Sequence, residues 1–293
     1  SFEEVLDALN VTLVVLIDDL DRCLPETTIS TLEAIRLFLF LENTAFVIAA
    51  DDEMIKFAVA KHFEGLDDRK LVTNYFDKLI QVPIKVPSLG TQEVRAYMMM
   101  LFVGSSDLSK PERDRIHEAV AGQLRKSWQG ARVDRGFIQS LGIDLSPDLI
   151  ARLDMAERLA PLMATASGIL GNPRLVKRFM NALSIRMTIS TLQGVGVNEA
   201  VLAKLLLFER LAPPAAYSAL TTAVTASESG HASFLVDLEA AAIAGEPASA
   251  DGPWSDPFVW EWLGLPPSLG TEDLRGALYV SREHAPVVYP EDR

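Results

Sequence analysis

The sequence predicts an α/β fold with a parallel sheet, followed by a long helical region. Three observations carry that expectation. Residues 11–17, VTLVVLI, form an uninterrupted β-branched and leucine run of strand length, as a central strand of a parallel sheet requires. A second apolar run, AFVIAA at 45–50, follows one helix-length segment, and LIQVPIKV at 79–86 follows another, so strands alternate with helices through short links. Beyond Pro87 the periodicity turns helical and stays so to about residue 210.

The elements follow in order. Residues 2–9 read as the end of an amphipathic helix. Thr27 or Thr28 can cap a helix from about 29 to 42, with Leu32, Ile35, Leu39 and Phe40 on its apolar side. Asp51 and Asp52 open a helix carrying Met54, Ile55, Ala58 and Val59, and another is expected around 68–78. Pro83 cannot donate a ladder hydrogen bond, which places its strand at a sheet edge. In the helical region, polar interruptions fall near 104–111 and 127–147. Residues 212–230 and 244–270 are rich in Ala, Ser, Pro and Gly, and the second stretch holds Trp254, Trp260 and Trp262. Aromatics that dense imply docking onto a surface, not a free linker. These shifts divide the chain into 1–90, 91–211 and 212–293.

A chain of 293 residues can bury a substantial core, and with 49% hydrophobic residues it is not a disordered one. No apolar stretch approaches a membrane span. One cysteine, Cys23, excludes an intramolecular disulfide and fits a reducing cytoplasm. The net charge of −13 argues against nonspecific nucleic-acid binding. Residues 1–53 and 211–293 are strongly acidic, whereas 54–210 carry a basic excess. The basic middle is either a set of solvated helix faces or a surface for a polyanion or for the acidic first segment.

The chemistry concentrates in VTLVVLIDDLDRC at 11–23, where an apolar strand exits into three carboxylates and an arginine. Like charges this close disfavour one another's ionisation, so a positive partner is expected, and magnesium on a nucleotide would meet the need. Ligands bind beyond the carboxyl ends of parallel strands. There Asp18 and Asp19 can hold the metal, largely through its water shell. Asp19 can also orient the water that attacks a γ-phosphate, with Asp21 and Arg22 in support. Such a run has the form of a Walker B element. The same pattern also suits an acidic turn capping the next helix.

DDLDRC after five apolar residues, then a long helix, then FVIAAD, resembles the KAP family of P-loop NTPases, relatives of the AAA+ and STAND ATPases. NYFDKLIQVPIKVP at 74–87 and GNPRLVKRFMN at 171–181 extend the resemblance, as does DLRGALYVSRE at 273–283 more weakly. The resemblance implies the later strands of a parallel P-loop NTPase sheet, followed by a helical lid and a C-terminal helical domain. It implies ATP and Mg2+ as ligands and hydrolysis that switches core against lid. It further implies protein partners in a multi-subunit complex or a homo-oligomer, with bacterial signalling or antiviral defence as settings. The pattern departs from the family at one point. No GxxxxGK[ST] occurs, so the phosphate-cradling loop and its lysine are expected before Ser1, together with any membrane anchor. The 293 residues alone are not expected to hold ATP in the usual way.

Further candidates each carry two readings. Asp51 is either a polar sensor of the γ-phosphate or the N-cap of the next helix. In GNPRLVKRFMN, Asn172 can cap, Pro173 suits the first helical position, and Leu175, Phe179 and Leu183 face a core. Arg174 and Arg178 share another face with Asn181. Cations near a helix start oppose its dipole, so Arg174 is not there for helix stability; the family resemblance implies the lid arginine that reaches a nucleotide phosphate, and a surface arginine paired with an acid is the other reading. Arg69, Lys70 and Lys78 stand where related ATPases place an arginine finger, and Arg282 is a further candidate of that kind. Cys23 reads as a small buried hydrophobe. His62, His117, His231 and His284 lack metal-ligand spacing. The alternative to an ATPase is a noncatalytic scaffold on the same fold, favoured by the missing loop and the tryptophan-rich segment.

Overall fold

The computed structural model describes residues 2–38, 41–62, 78, 80–166, 168–246 and 252–282. The chain divides into two compact units, Ser1–Val86 and Pro87–Arg293.

In the first unit, α1 (Phe2–Leu9) leads into β1 (Leu13–Ile17), α2 (Pro25–Phe38), β2 (Thr44–Ile48) and α3 (Asp52–His62). β1 and β2 pair in parallel, with Leu13 opposite Thr44 and Ile17 opposite Ile48. The alternation of strand side chains sends Ile17, Phe46 and Ile48 onto Leu20, Leu32, Ile35 and Ile55, so α2 and α3 cover one face. Ile55, Ala58 and Val59 are buried as their spacing predicts, while Met54 is exposed.

Two expectations are corrected here. β1 was expected to be buried on both faces, yet Val14 and Leu16 are 54% and 75% exposed and Val47 of β2 is 54% exposed. The reason is that α2 and α3 both pack on the opposite face. No strand forms over residues 80–86 either. Pro83 and Pro87 remove two donors close together, and Val82, Ile84 and Val86 are exposed. Residues 68–77 of the helix expected at 68–78, together with Leu39 and Phe40, lie outside the described residues.

The second unit is helical: α4 (Thr91–Gly104), α5 (Lys110–Leu124), α6 (Arg135–Gln139), α7 (Pro147–Thr165), α8 (Pro173–Leu192), α9 (Glu199–Leu211), α10 (Pro214–Ala226), α11 (Leu235–Ile243), α12 (Pro257–Leu263) and α13 (Arg275–Arg282). Four of its long helices begin at side-chain caps. The Ser109–Glu112 capping box opens α5, Ser146 caps α7, and Asn172 and Asn198 cap α8 and α9. Val94, Met98 and Met99 of α4 and Leu153, Ala156 and Met163 of α7 build one end of a single core.

α9 is the centre of the other end, with every residue from Val201 to Phe208 buried. That includes Lys204, 1% exposed, whose Nζ donates to Glu239 Oε1 at 2.8 Å and to the carbonyls of Leu265 at 2.6 Å and Pro267 at 3.0 Å. Glu239 in turn accepts from the backbone N–H groups of Leu269 and Gly270. Burial pulls the Lys204 ammonium below its ordinary range, and Glu239 works against that shift. The Trp262 ring stacks on Phe208 with centroids 4.0 Å apart and donates its Nε1–H to the Lys204 carbonyl. The tryptophan-rich segment therefore docks, as its composition predicts, and its surface is α9 of the same unit. Arg186 of α8 closes the assembly by donating to Glu209 at 2.7 Å and to Ser281 Oγ at 3.3 Å.

Candidate functional site

The parallel pairing of β1 and β2 brings their carboxyl ends to one edge. Ala49 N donates to Ile17 O at 2.8 Å, which carries the ladder to the last residue before the carboxylates. Asp18 and Asp19 leave β1 at this edge, and Asp51 leaves β2 at the same edge.

The exit from β1 is a sharp turn. Asp19 adopts the left-handed conformation at φ 59°, ψ 22° and precedes the 3-10 turn Leu20–Arg22. Asp and Asn tolerate that conformation because their short polar side chains bond locally, and here Asp19 N donates to Asp18 Oδ1 at 2.9 Å. Leu20 anchors the turn in the core. The buried Thr28 hydroxyl donates to the Leu20 carbonyl at 3.2 Å, locking the turn onto α2. Thr28 thus ties a loop to a helix instead of capping α2, which starts at Pro25.

Asp18 and Asp19 are exposed and Asp21 is half-buried. Arg22 Nε lies 3.0 Å from Asp19 Oδ1, with the two side chains 62% and 53% exposed. An exposed pair of this kind contributes at most about 1 kcal/mol, so a ligand can displace it at small cost. Among the described residues, Asp18 Oδ2 accepts no hydrogen bond. A carboxylate oxygen open at the strand tip, beside a second carboxylate held by a weak pair, fits a hard cation that keeps most of its water.

Asp51 Oδ1 accepts from Glu53 N at 3.0 Å, the geometry of an N-cap for α3. The neighbouring Asp52 is engaged by Lys56, whose ammonium holds that carboxyl below its usual range. Cys23 is exposed, a correction to its expected burial, because it follows the turn on the solvent side. Lys78 is exposed, Arg69 and Lys70 lie outside the described residues, and the Arg282 side chain does too.

Arg174 and Arg178 belong to the second unit, on the first turns of α8. Asn172 Oδ1 accepts from Arg174 N at 2.9 Å and Pro173 occupies the first helical position, as their order in the sequence predicts. Val176, Phe179 and Leu183 are buried, and Leu175 is partly so. Arg174, Lys177 and Arg178 are exposed, their side chains form no ion pair among the described residues, and the first turn holds no acid. One residue escaped notice in the sequence. Gly171 has φ 64°, and a Cβ there would stand 2.0 Å from the Leu89 carbonyl oxygen. That carbonyl fixes where α8 begins. Glycine followed by Asn-Pro was the available signal, but the partner that makes glycine obligatory lies far away in the sequence.

Among the described residues no group of three His, Cys, Asp or Glu side chains could hold a metal, and no helix is long and apolar enough to cross a membrane. No curated protein and no solved structure matches the chain. Residues 1–189 match the KAP family P-loop domain. P-loop NTPases bind nucleotide, usually with Mg2+. The match takes in the carboxylate turn at the end of β1, the sheet edge and the first turns of α8, and the chain belongs to the KAP family of P-loop NTPases.

Proposed function

We propose that the β1 turn is the metal and water side of an ATP site, in a chain that serves as part of an ATP-hydrolysing switch. The observation that carries this is the delivery of Asp18, Asp19 and Asp51 to one carboxyl edge of a parallel strand pair, with Asp19 held in a left-handed turn. Sparsely populated backbone conformations of non-glycine residues concentrate at functional sites. Magnesium, when bound with ATP, supplies charge neutralisation across the phosphates.

Asp18 takes the metal side through its open Oδ2, with Asp19 beside it. Asp19 orients the attacking water, and Asp21 backs the turn. Arg22, loosely held by Asp19, turns to a phosphate oxygen. Asp51 senses the γ-phosphate while keeping its cap. Arg174 and Arg178 supply phosphate-contacting cations from a helical lid over 91–211, followed by a C-terminal helical region over 212–293. Cations at a capped helix start with no ion pair among the described residues support this role, since they disfavour the helix and favour an anion. The open apolar face of Val14, Leu16 and Val47 leaves room for a further element to pack on the sheet, as both faces of a parallel sheet require. Family settings support a nucleotide-driven role in a bacterial, cytoplasmic defence or signalling complex with partner proteins or with further copies of the chain.

Asp19→Asn is the clean test, because Asn accepts the left-handed turn as Asp does and only the charge is lost. In the protein equipped with a phosphate-binding loop, hydrolysis is expected to fall roughly 100-fold or more while ATP binding persists. Undiminished turnover would remove the assignment.

The second reading is a noncatalytic scaffold on the same fold. The tryptophan-rich segment no longer supports it, since Trp262 is wholly buried in the chain's own core and Trp254 and Trp260 are half-buried. Complex assembly that is indifferent to nucleotide and to Asp19→Asn would distinguish the scaffold.

A further inference from the structure

The turn after α5 carries a feature that an ATP site does not use. Trp128 is 80% exposed, the one exposed tryptophan among the described residues. It sits in the 3-10 turn Ser127–Gln129, and the turn is well tied: Gln129 N donates to Lys126 O and Gly130 N to Ser127 O, both at 2.9 Å. Gln123 Nε2 bridges to the Arg132 carbonyl at 3.1 Å, closing the loop at its base. The indole is therefore held outward by fixed backbone. Arg125, Lys126 and Arg132 flank it along the chain, all exposed and none in an ion pair among the described residues. In a chain of net charge −13, this is a local run of exposed positive charge next to a large apolar ring.

We propose that the 125–132 turn docks on an anionic bilayer surface, with Trp128 at the level of the headgroups and the three cations against lipid phosphates. Tryptophan favours that interface because its ring is amphipathic, and basic side chains near it are drawn to anionic lipid. A single aromatic on an open turn suits a plane better than it suits single-stranded nucleic acid, whose sites stack several bases along a groove. The proposal is independent of the ATP site.

The test is cosedimentation of the 293-residue chain with phosphatidylcholine vesicles containing about a third phosphatidylserine, at low and physiological salt. Binding is expected to the mixed vesicles and not to pure phosphatidylcholine. Each cation neutralised, in Arg125→Gln, Lys126→Gln and Arg132→Gln, should weaken it about fivefold. Trp128→Ala should abolish it with the circular dichroism spectrum unchanged. Absence of wild-type binding to the mixed vesicles would overturn the proposal, as would binding that Trp128→Ala leaves intact. Trp128-dependent binding to an oligothymidylate in place of vesicles would overturn it equally.

Discussion

Substituting Gly171 by alanine tests the geometry that starts α8 and aims its arginines. Two terms contribute. A left-handed backbone with a Cβ costs roughly 1–2 kcal/mol. The new methyl would also stand 2.0 Å from Leu89 O, far inside contact, so backbone on one side must move. Forced overpacking of that kind costs roughly 1–3 kcal/mol more. Gly142 separates the two terms. Its φ is 69°, and a Cβ there meets nothing within 4 Å, so Gly142→Ala carries the conformational term alone. The gain from a less flexible unfolded chain is common to both variants and cancels. Urea unfolding followed by circular dichroism should therefore place Gly171→Ala roughly 1–3 kcal/mol below Gly142→Ala, the overpacking term alone. Equal destabilisation of the two would refute the claim that the Leu89 carbonyl fixes the start of this helix.

Lys204→Met should lower stability by about 3–5 kcal/mol, because it leaves the Glu239 carboxylate buried without its counter-ion. A thermal midpoint within about 2 °C of the parent would contradict this. Asp273, bonded by the Arg275 guanidinium, has its carboxyl lowered from 3.8 to about 2. Because the folded value lies below the unfolded one, its contribution to stability is present above pH 3.8 and is lost as pH falls through about 2. A carboxyl titration by NMR should show a midpoint near 2, moving to the ordinary range in Arg275→Gln.

The carboxylate turn and the cap of α8 were legible because their signals are local. An apolar run that stops at Asp-Asp announces a strand tip, and Asn172-Pro173 announces a helix start. Leu32, Ile35, Phe179 and Leu183 were likewise readable from spacing and are buried. What escaped depends on distant partners. Nothing near Lys204 in the sequence tells that Glu239 and the 263–267 carbonyls will enclose it, so a charged residue sits in the core of α9. Gly171 needed knowledge of Leu89. The strand expected at 79–86 failed because its apolar alternation had a reader's logic but no described partner to pair with, and Pro83 limited what ladder it could form. Asp19 shows both limits at once. Its place at the strand tip was readable, whereas its left-handed backbone and its pairing with Arg22 follow from the turn that Thr28 locks down.

The most direct test of the site is the affinity for Mn2+ in the presence of ATP, read by electron paramagnetic resonance in the protein equipped with a phosphate-binding loop. Asp18→Asn should weaken the metal roughly tenfold or more, because the oxygen proposed to face the cation would lose its charge. Equal Mn2+ affinity in the parent and in Asp18→Asn would contradict the placement of the metal at the tip of β1.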